Sequence, residues 1–294
     1  MVSTEAKLGL ITRTIDAGVR RVEATSFVNP ARVPQMADAE DVMGGLARLR
    51  AGAAGDAPIR SAAFIGLLLN RRGLERALAA GCDEVNAVVV VSDTFSQRNQ
   101  GTDTDGCIAA WRDIAAECAQ AGVPASVTLA ASFGCPYEGE VPLERLAEVV
   151  ARCADAGGEE IALADSIGVA VPTDVRERLE VADAAVARAG TAQRLRVHFH
   201  NTRNTGLANV AAAVEHGVQV VDASLGGIGG CPFAPNATGN VPTEDVAYLL
   251  DRMGYATGVD LHRLVAAVGW MQSPALLDRS TPGLLARAGV FPPA

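Results

Sequence analysis

The chain has 294 residues, 49% of them hydrophobic and 20% charged, with a formal net charge of −9 at neutral pH. That composition supports a large buried core and excludes a disordered chain. The acidic balance argues against nucleic acid and against an anionic membrane surface as partners, while a local basic site for an anionic small molecule stays open.

One pattern repeats along the sequence: a short β-branched or apolar run, a polar break, then an Ala/Leu/Arg-rich amphipathic stretch that ends at glycine. The chain opens on a helix, EAKLGLITRTIDAGV, with Ser3 or Thr4 as N-cap. Strands are then predicted near 20–26, 59–66, 84–92, 125–133, 159–165, 194–200 and 219–225. Helices are predicted near 36–51, 71–80, 104–121, 142–156, 173–189, 203–216 and 242–253, and a helical tail from about 259.

Strands alternating with helices predict a parallel sheet with helical crossovers. An open doubly wound sheet and a barrel both fit that alternation. Seven strand–helix units behind a leading helix favour an α/β fold of the TIM (β/α)8 type, with the first strand missing from this chain. No linker or low-complexity tract divides the sequence, so residues 1–294 are read as a single barrel catalytic domain with a helical C-terminal extension over about 259–294.

No apolar run approaches the ~20 residues needed to span a bilayer, and MVSTEAKLGL lacks the features of a secretory signal. The six cysteines form no CxxC pair and no regular framework. A cytoplasmic enzyme with reduced thiols is expected, and Cys82, Cys107, Cys118 and Cys153 are read as buried structural residues.

In such a barrel the chemistry sits where strands end. Glu23, Thr25 and Ser26 fall there, as do Asn86 and Ser92, Ser132 and Cys135, Asp165 and Ser166, and then His198, His200 and Asn201 in VHFHNT. Residues two apart on a strand share a face, so His198 and His200 project side by side. Two such imidazoles suit a divalent cation; the alternative is a pair of satisfied core histidines. Asn240, near the end of the loop GGIGGCPFAPNATGN, is a hard oxygen donor that would suit Mg²⁺ or Mn²⁺, or else a helix N-cap. Cys231 in that loop can shuttle a proton. Asp165 and Glu23 are acid/base candidates, or salt-bridge partners in the barrel mouth. GGIGG lacks the Lys and Ser/Thr of a phosphate-binding P-loop.

Six blocks in order, VEATSFVNPARVPQMAD, SFGCPYEG, ALADSIGVAVP, VHFHNT, GGIGGCPF and ATGNVPTED, resemble the 3-hydroxy-3-methylglutaryl-CoA lyases over nearly the whole chain. The wider metal-dependent barrel superfamily also holds isopropylmalate and homocitrate synthases and 4-hydroxy-2-oxovalerate aldolases, and the GGxGGCP loop points to the lyase branch. The resemblance implies cleavage of 3-hydroxy-3-methylglutaryl-CoA to acetoacetate and acetyl-CoA, with a divalent metal, Mg²⁺ or Mn²⁺. It implies His198, His200 and Asn240 as metal ligands, Cys231 as the catalytic loop cysteine, and Glu23, Asp165 and Glu244 as acidic residues needed for activity, with His198 also at the reacting centre. Ser26, Ser132 and Asn201 are the candidate substrate contacts. An acyl-CoA substrate and a homodimer are the implied partners.

The departures are also expectations. Family members begin with a strand ending in Arg-Asp-Gly, whose Asp is a metal ligand and whose Arg stabilises the enolate. Here Arg112-Asp113 is followed by Ile114, and the sequence has no Arg-Asp-Gly. Either the start codon is assigned too far downstream, or the polypeptide is short, with a gap in the barrel wall and little or no lyase activity. The cost of two open sheet edges favours the first. Asn201 stands where Asp is usual, and the segments TRNTG and FAPNATGN differ too, so a related 3-hydroxy-acyl-CoA is an alternative substrate. A non-catalytic binding protein with a broken metal site is the alternative of another class.

Overall fold

A computed structural model describes residues 2–229 and 239–273, together with Thr281, Gly283, Leu285 and Val290. Helix α1 (Thr4–Asp16) leads, its N-cap Ser3 accepting from the Ala6 amide. Then follow β1 (Arg21–Ser26), α2 (Ala39–Gly52), β2 (Ala63–Leu68), α3 (Arg71–Ala79) and β3 (Glu84–Val90). Next come α4 (Asp93–Gln100), α5 (Thr104–Ala121), β4 (Ala125–Ala130), α6 (Leu143–Ala156) and β5 (Glu160–Asp165). The chain continues through α7 (Pro172–Arg188), β6 (Arg194–Phe199), α8 (Gly206–His216), β7 (Val220–Asp222), α9 (Thr243–Arg252) and α10 (Leu261–Met271).

The seven strands pair in sequence order, β1 through β7, and every pairing is parallel. Helices cross over between them, so the sheet curls into an incomplete barrel. Among the described residues β1 and β7 are the two sheet ends and do not pair with one another. The predicted strands and helices are therefore present, with local differences: the last strand is shortened from 219–225 to Val220–Asp222 ahead of a 3-10 turn at Leu225–Gly227, and the fourth stops at Ala130. A 3-10 turn at Pro58–Arg60 occupies the start of the predicted second strand and moves it to Ala63–Leu68. Helix α4, DTFSQRNQ, is additional; it is too polar to show an apolar stripe.

Strand parity sorts the side chains. On β6, Leu195, Val197 and Phe199 face the helices and join the main apolar core, whereas Arg196, His198 and His200 face inward. Trp111 of α5 is fully buried, its indole N–H donating to the Cys153 carbonyl at 3.0 Å. Gly158, at φ +84°, leaves room for that ring: a Cβ there would lie 2.6 Å from it.

The barrel floor is ionic. Arg21 Nη2 lies 2.6 Å from Glu84 and 3.0 Å from Glu160, and Arg194 reaches Glu160 at 2.8 Å. Glu160 is only 1% exposed, so its two arginine partners offset the cost of burying its charge. Cys82, Cys107, Cys118, Cys135 and Cys153 are all buried and free. Burial pushes the Cys82 and Cys153 thiols up to about 12, which makes them inert.

Candidate functional site

The inward faces of the strands line a cavity of about 1710 Å³ that extends outward between α1 and α9, where Leu10, Thr14, Val246 and Leu250 also border it. Glu23, Ser26, His198, His200 and Asn240 line it, with Asn86, Thr128, Arg196 and Asp222 beneath and beside them. The imidazoles of His198 and His200 stand with ring centroids 5.3 Å apart at the C-terminal end of β6. A short bridge pairs His200 with Asn240 and brings the segment before α9 against the strand end. Asn240 Nδ2 donates to the Ile228 carbonyl at 3.0 Å, which fixes the amide. Its Oδ1 is then buried without a partner, and so is His200 Nδ1.

Two orphaned buried acceptor-capable atoms on adjacent side chains are costly unless something completes them. A divalent cation would fit there, since neutral imidazole nitrogen and amide oxygen are suitable donors for one. Burial and the neighbouring His198 lower the His200 pKa to about 4, only partly opposed by Asn240, so the ring is neutral at physiological pH, as a ligand must be. Among the described residues no group of three or more His, Cys, Asp and Glu could hold a metal; the polar side chain beside the two histidines is instead an asparagine, Asn240.

Glu23 lies inside the barrel with its carboxyl open to the cavity, held by Asn86 Nδ2 at 2.8 Å. Desolvation inside the barrel raises its pKa and the Asp222 charge adds to this, against Asn86, Arg196 and His198. Asn86 sits two residues into β3, below the rim where its sequence position suggested it. Arg196 Nη2 reaches Asn86 Oδ1 at 3.1 Å and Thr128 Oγ1 at 3.2 Å.

Four other candidates lie off this wall. Asp165 is on the helix-facing parity of β5, paired with Phe199, and is fully buried. Its carboxylate accepts from the Val169 and Ala170 amides at 3.0 and 2.9 Å and shapes the turn after β5. Burial still raises its pKa against those bonds. Ser132 Oγ donates to the Leu129 carbonyl at 2.6 Å, following Ala131, whose φ of +61° ends the strand. Asn201 Oδ1 accepts from the Gly206 amide and starts α8. Glu244 accepts from the Gly226 amide in the loop after β7. Cys231 lies outside the described residues.

Asp222 is the residue that sequence reading missed. It stands opposite His198 in the β6–β7 register, its carboxylate 3.4 Å from His198 Nδ1 and 3.7 Å from Arg196 Nη1. In the sequence it falls in the middle of the predicted strand QVVDASL, on the same parity as Ser224, and only the shorter observed strand ends on it.

The sequence model of the HMGL-like family matches residues 1–269. The (R)-citramalyl-CoA lyase of Chloroflexus aurantiacus is 39% identical over 292 residues, covering 97% of this chain and 89% of that protein. The hydroxymethylglutaryl-CoA lyase of Bacillus subtilis is 35% identical over 271 residues, 92% of this chain and 86% of its own length. Among solved structures, the hydroxymethylglutaryl-CoA lyase of Pseudomonas aeruginosa superposes with a TM-score of 0.86 at 34% identity, over 98% of this chain and 90% of that one. An inward-facing histidine pair on a curled parallel sheet, in a chain matched almost end to end, leaves one assignment: the chain belongs to the HMGL-like family and is a carbon–carbon lyase.

Proposed function

We propose that this protein cleaves 3-hydroxy-3-methylglutaryl-CoA to acetoacetate and acetyl-CoA, with Mg²⁺ or Mn²⁺ held by His198, His200 and Asn240. The observation that carries the proposal is the pair of orphaned donors, His200 Nδ1 and Asn240 Oδ1, at the rim of the cavity. Hydroxymethylglutaryl-CoA lyases from several organisms among the relatives support the substrate.

When bound, the cation supplies Lewis-acid activation and orientation of the tertiary hydroxyl. Glu23, in the same cavity and with a raised pKa, is the proposed base that accepts the hydroxyl proton. The carbon–carbon bond then breaks, the oxygen becomes the ketone of acetoacetate, and its electron pair passes to the enolate of acetyl-CoA. Cys231 is the proposed acid that returns a proton to the enolate carbon, so that one proton is taken and one given. Ser26 is the proposed substrate contact on the wall. Asp165, Glu244, Ser132 and Asn201 are proposed to hold the rim loops in place through their backbone hydrogen bonds.

One catalytic domain over residues 1–294, a homodimer and a cytoplasmic location belong to the same proposal. Among the described residues no helix is long and apolar enough to cross a membrane. The test is turnover, with added Mg²⁺, of 3-hydroxy-3-methylglutaryl-CoA against citramalyl-CoA and other 3-hydroxy-acyl-CoA thioesters. The named substrate should be cleaved fastest; equal or faster cleavage of another thioester overturns it.

A further inference from the structure

Parallel strands place paired residues side by side on one face, and the β6–β7 register pairs His198 with Asp222. Asp222 Oδ2 approaches His198 Nδ1 at 3.4 Å, while its other oxygen faces Arg196 Nη1 at 3.7 Å. Arg196 is 3% exposed and anchored from below, by Asn86 Oδ1 at 3.1 Å and Thr128 Oγ1 at 3.2 Å. Asn86 is in turn tied to Glu23 at 2.8 Å. A continuous polar chain thus crosses the barrel interior from β1 to β7 and ends on one nitrogen of one histidine.

We infer that Asp222 is a positioning residue: it fixes His198 in the tautomer that carries its proton on Nδ1 and so presents the Nε2 lone pair as a metal donor. A neutral imidazole has one donor and one acceptor nitrogen, and a carboxylate beside Nδ1 can only accept. The proton is therefore held at Nδ1 and the lone pair is left on Nε2. Ligating histidines characteristically donate their second ring N–H to a carboxylate, which fixes the ring orientation and raises ligand basicity. Arg196 sets the carboxylate in turn: it is the guanidinium nearest Asp222, 3.7 Å away, with Arg21 of the floor adding a weaker attraction. His200 has no such partner on Nδ1, so the two ligands are supported differently, His198 by a carboxylate and His200 by the bridge to Asn240.

This inference rests on the metal reading of the His198–His200–Asn240 site, and the experiment separates the two. Nitrogen-15 NMR of the metal-free full chain reads the His198 tautomer directly, with neither substrate nor metal present. The proton should sit on Nδ1 in the wild type, and Asp222→Ala should shift the population toward the Nε2-protonated form. Titration with Mn²⁺ should then show binding by Asp222→Ala weakened roughly 10–100-fold. An Nε2-protonated His198 in the wild type overturns the inference without any variant, so a poorly folding Asp222→Ala cannot shelter it. So does an Asp222→Ala protein with an unchanged tautomer and Mn²⁺ affinity within twofold. Failure to cleave 3-hydroxy-3-methylglutaryl-CoA would instead remove the proposed substrate and leave the tautomer result standing.

Discussion

Glu244 Oε2 accepts a hydrogen bond from the Gly226 amide at 2.9 Å, tying the first turn of α9 to the loop that leaves β7. The other oxygen of that carboxyl is buried without a partner. Burial raises the Glu244 pKa to about 7, against the Gly226 bond. A folded-state pKa raised above the unfolded one means that the native state holds the proton longer. Its stabilising contribution is full below about pH 4.5 and is lost as pH rises toward 7. Glu244→Gln should therefore gain on the wild type across that window, by about 3 kcal/mol above pH 7. Denaturant midpoints measured from pH 4 to 8 check this; parallel curves for the two proteins would refute it.

Asp165 offers a contrast, because its carboxylate caps two backbone amides within the helix-facing layer. Asp165→Ala leaves the buried Ala170 amide and the half-buried Val169 amide unpaired, a cost of about 2–5 kcal/mol. Asp165→Asn, which keeps one acceptor, should lose less. Urea unfolding of both variants measures the difference. A residue with a purely chemical role would lower turnover at unchanged stability.

Dialysis against a chelator should abolish cleavage, and Mg²⁺ or Mn²⁺ should restore it. Asn240→Ala should weaken Mn²⁺ binding by at least the roughly 10–100-fold that loss of an outer partner costs. Calorimetric titration reads the affinity, and an unchanged value would remove Asn240 from the ligand set.

Gly158→Ala is a packing prediction remote from the chemistry. Its Cβ would stand 2.6 and 2.7 Å from two Trp111 ring carbons and 3.0 Å from the Ala125 carbonyl, at a backbone φ of +84°. Overpacking and left-handed strain together should cost about 2–4 kcal/mol. A shifted urea midpoint with an unchanged slope is the expected signature.

The order of strands and helices was legible because most strands are compact apolar runs, β6 alternates at period two, and the long helices carry a stripe. α4 was not, since DTFSQRNQ has neither, and β2 slid because Pro58 nucleates a turn inside an apolar stretch. The histidine pair was legible from spacing alone, because period two is a local property of a strand. Asp165 and Asp222 show where that reading stops. Both close a strand, yet one faces the helices and the other the cavity. Parity is fixed by register against the neighbouring strand, which a linear pattern of alternating residues does not display. Asp222 became visible only when β7 was laid against β6.

The alternation along β6 makes that strand a ruler as well as a wall. Arg196, His198 and His200 fall on one side and Leu195, Val197 and Phe199 on the other, with no bulge in its pairing to β5. Deleting one residue upstream within the strand would exchange the two sets. Both imidazoles would be driven into the apolar layer under the helices, and Phe199 would be turned into the wet cavity. Point substitutions on the outer side should be absorbed by repacking. Changes in the strand's length should not, so β6 is expected to tolerate rewriting far better than reframing.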